Sequence, residues 1–156
     1  MKKSTNLAIV QESAIHLDVK KSLEKAIQLI QQAAAQNAEL IVFGESWLSG
    51  YPVWLDHCPD IARWNHNPTK KVFARMYQNS VEVGGIETQR LCQMALENKI
   101  VIVMGMNEIV QEGFGMGQFI IHLSLLIQLA KLFVIEENWY LLLQKNWFMA
   151  WEMEKI

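Results

Sequence analysis

Cysteine is scarce in this chain: Cys58 and Cys92 are the only two in 156 residues, too few for a disulfide scaffold, and they point to a reducing, cytoplasmic setting. Charge of one sign is also lacking. Fourteen Lys and Arg face 16 Asp and Glu, giving a net charge of -2, so no basic face is available for nucleic acid or for an anionic membrane surface. The N-terminus has no apolar core of the secretory kind. The longest apolar stretch, residues 119–135, is broken by His122, Gln128 and Lys131, which argues against a membrane span and for a soluble chain. Internal repeats and low-complexity linkers are missing too. What is present is 51% hydrophobic residues, enough for one domain with a sizeable core.

The apolar pattern alternates between two periods. Residues 19–37 carry Leu23, Ile27, Ile30 and Ala34 at helical spacing with Lys and Gln between them, which predicts an amphipathic helix. A short strand precedes it and another follows it. Residues 56–69 hold two of the three prolines and read as an ordered loop, after which residues 70–81 and 87–98 read as helices and 100–106 as an apolar strand. Strands alternating with helices predict an α/β fold.

Within that pattern, Glu39-Leu40-Ile41-Val42-Phe43-Gly44-Glu45 is a buried apolar run that ends in a carboxylate, followed by Ser46-Trp47-Leu48-Ser49-Gly50-Tyr51-Pro52. Open α/β sheets gather catalytic groups at the carboxyl ends of their strands, so Glu45 is a candidate functional acid; the plainer alternative is a solvated residue that starts a turn. The segment from Phe43 to Pro52, with Trp54-Leu55-Asp56, resembles the first catalytic segment of the nitrilase branch of the carbon-nitrogen hydrolase superfamily. Leu7-Ala8-Ile9-Val10-Gln11-Glu12, Asp60-Ile61-Ala62-Arg63-Trp64-Asn65 and Met104-Gly105-Met106-Asn107-Glu108 resemble further segments of that branch, in the right order.

The resemblance implies a partial α-β-β-α sandwich and hydrolysis of a small nitrile or amide, with no cofactor and no metal. It also implies a Glu, Lys and Cys in that chain order: the thiolate attacks the carbon, the Glu moves protons, and the Lys steadies developing charge. Such a carboxylate works best when burial lifts its pKa towards the operating pH. Glu45 matches the family's Glu, while Tyr51 and Trp54 either wall the substrate pocket or anchor the turn. Cys58 precedes every candidate Lys and reads as a loop thiol; Cys92 reads as helix packing, His57 and His66 as polar loop residues, and Asn107 and Glu108 as structural.

The tail departs from the family. After Gly117 there is no glycine, proline, arginine or aspartate, and Lys131 and Lys145 lie in the wrong wording for the catalytic Lys, with no Cys after either. A reading frame shifted by one base restores family-like wording. Residues 135–144 then permit Arg-Arg-Lys-Leu-Val-Pro-Thr-Phe-Thr, and the genetic code forces Leu from Asn138-Trp139, Val from Trp139-Tyr140 and Gly from Met149-Ala150, Trp151-Glu152 and Met153-Glu154. The expectation is therefore residues 1–115 as the N-terminal part of a carbon-nitrogen hydrolase domain and 116–156 as an out-of-frame tail. The alternative is a genuine apolar helix or hairpin beyond residue 119. Either a catalytically incomplete hydrolase or a non-catalytic assembly partner of a full-length homologue follows, and an unfinished sheet would favour homo-oligomers.

Overall fold

In the computed structural model the described residues are 4–53, 57, 59–60, 63, 65–109, 119–128 and 131–138. Five strands form one sheet in the order β1 (Leu7–Ile9), β2 (Leu40–Val42), β3 (Val101–Ile109), β4 (Phe119–Gln128) and β5 (Lys131–Asn138). The first three run parallel, and β4 and β5 are antiparallel to their neighbours. Three helices connect the parallel part: α1 (Val19–Ala35), α2 (Asn67–Gln78) and α3 (Ile86–Asn98). The architecture is α/β, a helix layer on a sheet, which is half of an α-β-β-α sandwich.

α1 starts where Asp18 accepts a hydrogen bond from Lys21 N at 3.1 Å and an ion pair from Lys21 Nζ at 2.8 Å. Those bonds hold the Asp18 carboxyl below its ordinary pKa. Its inner face is the stripe Val19, Ser22, Ala26, Ile30 and Ala33, spaced three and four apart. The helix stops because Asn37 adopts φ +61° and Ala38 N donates back to Ala33 O, a left-handed termination that Asn tolerates. α3 presents Thr88, Leu91, Met94 and Ala95 to the same layer. Between these helices and the sheet lies the core, in which Ala26, Ile30, Leu48, Leu91, Met94, Ile102, Met104 and Met106 have no exposed surface.

Two expectations shift. α2 begins at Asn67 rather than residue 70, because Pro68 sits in the first helical turn, where its missing N–H is no loss, instead of in a loop. β3 continues three residues past 106, since Asn107 and Glu108 remain in register with Ile121 and Ile120. Among the described residues no helix is long and apolar enough to cross a membrane.

Candidate active site

Glu45 leaves the sheet just after β2. Phe43 N still donates to Val103 O at 2.9 Å, and residues 45–49 then turn. The turn is tied to β3 rather than free. Leu48 N donates to Gly105 O at 3.0 Å, and Asn107 Nδ2, fully buried, donates to Gly50 O at 3.2 Å. Gly105 lies where the β3–β4 register is interrupted between Met104 and Met106. A Cβ there would collide with the Gly44 carbonyl oxygen and stand 2.7 Å from Ser46 N and 2.8 Å from Glu45 Cα. Only glycine lets the Glu45 turn lie this close to β3.

The other side of the turn is held by the segment after β1. Trp47 Nε1 donates to Glu12 O at 2.7 Å, and its ring meets Phe43 edge-on with centroids 4.8 Å apart. Leu17 N donates to Ser49 O at 3.2 Å, and Gly50 (φ +94°) lies so close to His16 that a Cβ would stand 2.5 Å from His16 Nδ1. Lys25 fixes that segment to α1 by bonding Glu12 Oε2 and Ser13 O, both at 2.8 Å. The turn is strained as well as buried: Ser46 has φ +50°. Around it Ser46 Oγ, Ser49 Oγ and Asn107 Oδ1 are buried without a hydrogen-bond partner among the described residues.

On this rigid turn the Glu45 side chain is exposed, so the burial expected of a tuned proton carrier is not supplied by the described residues. Tyr51, two residues past the turn, is 45% exposed. Trp54 and Cys58 lie outside the described residues. Cys92 is half-buried on α3 against the core, and burial pushes its thiol pKa up, the opposite of what a nucleophile needs. His66 caps α2 and pairs through Nδ1 with Thr69 Oγ1 at 2.8 Å. Among the described residues no group of three or more His, Cys, Asp or Glu is placed to hold a metal ion. The positioning roles of Gly105 and Asn107 were not readable from the sequence, although both lie in the segment Met104 to Glu108 that carries part of the resemblance.

Comparison with known proteins gives this geometry a family. Residues 6–124 match the family described as carbon-nitrogen hydrolase. The chain belongs to the carbon-nitrogen hydrolase family. It is 31% identical over 115 residues to an arylacetonitrilase of Aspergillus oryzae, a match that spans 74% of this chain and 32% of that protein. It is 35% identical over 122 residues to an arylacetone-specific nitrilase of Alcaligenes faecalis, spanning 77% of this chain and 32% of the relative. The chain thus spans about a third of the length of the curated relatives it matches. Among solved structures, an amidase from Nesterenkonia sp. AN1 superposes with a TM-score of 0.52 at 16% identity, over 86% of this chain and 44% of that one. At that identity the likeness establishes the fold.

Proposed function

We propose that this chain carries the Glu-bearing first part of a nitrile-hydrolysing enzyme, and that a polypeptide of these 156 residues is catalytically incomplete. In this reading Glu45 is the proton-transfer residue for thiolate attack on the carbon of an arylacetonitrile or related nitrile, which would end as a carboxylic acid and ammonia. The observation that carries it is the built turn: β3 approaches through a glycine, and Asn107 and Trp47 fix both flanks of a carboxylate at the end of a strand. The named relatives support the substrate class.

Incompleteness rests on the chemistry of the thiols and lysines. Cys92 is packed and poorly ionised, and no Cys follows Lys131 or Lys145. A proton carrier without its nucleophile forms no covalent intermediate, and loss of one member of a catalytic unit removes most of the rate. We place the change of wording at residues 116–156, as an out-of-frame tail following one lost base near Gly115. The test is ammonia release from phenylacetonitrile by the purified chain. Release equal to a protein-free blank is expected. Release above the blank that Glu45→Gln abolishes would keep the role of Glu45 and overturn the incompleteness.

A further inference from the structure

The segment that leaves β1 has little of its own to hold it. Gln11, Glu12 and Ser13 are exposed, and among the described residues the backbone from Gln11 to Ala14 makes no hydrogen bond to another backbone group. Two side chains, one on either side, tie it down. Trp47 Nε1 donates to Glu12 O at 2.7 Å, and Lys25 Nζ donates to Ser13 O and to Glu12 Oε2, both at 2.8 Å. The residues that follow are anchored separately. Ile15 N donates to Ser22 Oγ at 3.1 Å, Ser22 Oγ donates to Ile15 O at 3.0 Å, and Leu17 N donates to Ser49 O. Ser22 and Lys25 stand three residues apart on α1, so one side of that helix holds both halves of the segment.

We propose that Lys25 is a positioning residue for Glu45, acting through Glu12 and Ser13 on the Trp47 ring. The chain of contacts is short. Lys25 fixes the segment, Glu12 O gives the buried Trp47 N–H its acceptor, and Trp47 stands two residues after Glu45 with only Ser46 between them. Ser46 holds φ +50°, a conformation that persists in a non-glycine residue only where its surroundings over-determine it. If the acceptor drifts, the indole N–H either loses its partner inside the protein or follows it with the ring. Both routes let Ser46 relax towards negative φ and swing Glu45 off the end of β2. The movement is confined to residues 44–47, because Phe43 N is bonded to Val103 O and Leu48 N to Gly105 O. Of the two Lys25 bonds, the one to Ser13 O carries the role. It is a charge-assisted bond from a half-buried ammonium, whereas the Glu12 side chain is 62% exposed, where an ion pair contributes little. The meaning for catalysis rests on the reading of Glu45 as the proton carrier, but the positioning itself is measured without turnover.

Hydrogen exchange and backbone nitrogen NMR relaxation of the 156-residue chain test it, with the Trp47 indole resonance assigned by its loss in Trp47→Phe. Lys25→Met keeps the aliphatic stem and removes the ammonium. It should speed exchange of the Trp47 indole N–H about tenfold and lower the order parameters of Glu45 and Ser46 from a rigid value of about 0.85. The amides of Leu91 and Ile102, both in the core, should exchange as in the parent. Lys25→Arg, which retains the charge and the reach, should restore both readouts, and Glu12→Gln should leave them nearly unchanged. Lys25→Gln is the second variant if Lys25→Met alters the circular dichroism spectrum. An indole that exchanges at the parent rate overturns the proposal. So does equal acceleration of the core amides, which is loss of stability alone, or failure of Lys25→Arg to restore the readouts. A loosened Trp47 beside a Glu45 that stays rigid, or a Glu45 already mobile in the parent, overturns it as well. None of these outcomes bears on ammonia release, which tests the chemistry of Glu45 separately.

Discussion

Gly105→Ala is the most discriminating single change in this molecule, because it adds one methyl group at the contact that seats the Glu45 turn. The new Cβ would meet the Gly44 carbonyl oxygen and the backbone at Glu45 and Ser46, none of which is the flexible end of a side chain. Relief must come from β3 and the turn moving apart, which stretches the Leu48 N to Gly105 O bond of 3.0 Å. Overpacking of this kind costs about 1–3 kcal/mol, and losing one backbone hydrogen bond adds about 1 kcal/mol. The sum, about 2–4 kcal/mol, is a large share of the roughly 8–23 kcal/mol expected for a domain of this size. At about 2–4 °C per kcal/mol it lowers Tm by about 5–15 °C. Thermal and urea melts followed by circular dichroism, at one fixed protein concentration, measure it. A Gly105→Ala chain within about 0.5 kcal/mol of the parent would show that the turn does not rest on β3 as described.

Two further outcomes follow from the same region and from α3. Ser49→Ala removes a buried hydroxyl that makes no hydrogen bond among the described residues, so it should leave stability unchanged or raise it by up to about 1 kcal/mol, whereas a loss above about 1 kcal/mol in a urea melt would mean the hydroxyl is partnered. Cys92, whose thiol pKa is raised by burial, should react with iodoacetamide in a Cys58→Ser background more slowly than a free thiol at pH 8, with a rate still climbing above pH 9. The sign for stability is fixed by the same shift. A folded pKa above the unfolded one gives a contribution that is complete below the unfolded value and is lost as pH rises through the folded one.

How much of this was legible in the sequence depends on which force shaped each element. α1 was legible because Leu23, Ile27, Ile30 and Ala34 repeat at three and four residues, but its fully buried stripe is offset to Val19, Ser22, Ala26, Ile30 and Ala33, where small residues let the helix lie close to the sheet. The start of α2 was not, because a proline in a polar stretch reads equally as a loop residue or as a first-turn residue, and only the packing of Thr69 and Met76 decides. The end of β3 was hidden because Asn107 looks like a strand terminator. Its side chain spends its N–H₂ on Gly50 O, a contact 57 residues away in sequence. Glu45 was legible as a strand-end carboxylate, but its exposure depends on surfaces that no local pattern encodes.

The sheet face turned away from the helices joins these points. Leu7-Ala8-Ile9, Leu40-Ile41-Val42 and Val101-Ile102-Val103 are apolar without alternation, the pattern of strands buried on both sides. Ala8, Ile41 and Ile102 pack against the core, while among the described residues Leu7 and Ile9 are exposed and Leu40, Val42, Val101 and Val103 only partly buried. Glu45 follows β2, and among the described residues neither its side chain nor the rows beside it are covered by a second layer. A layer packed on Leu40, Val42 and Val103 would stand close to the start of the Glu45 turn and reduce its access to water, because Val42 is only three residues before Glu45 and Phe43 N still bonds Val103 O. What covers this face and what surrounds the carboxylate are therefore one question.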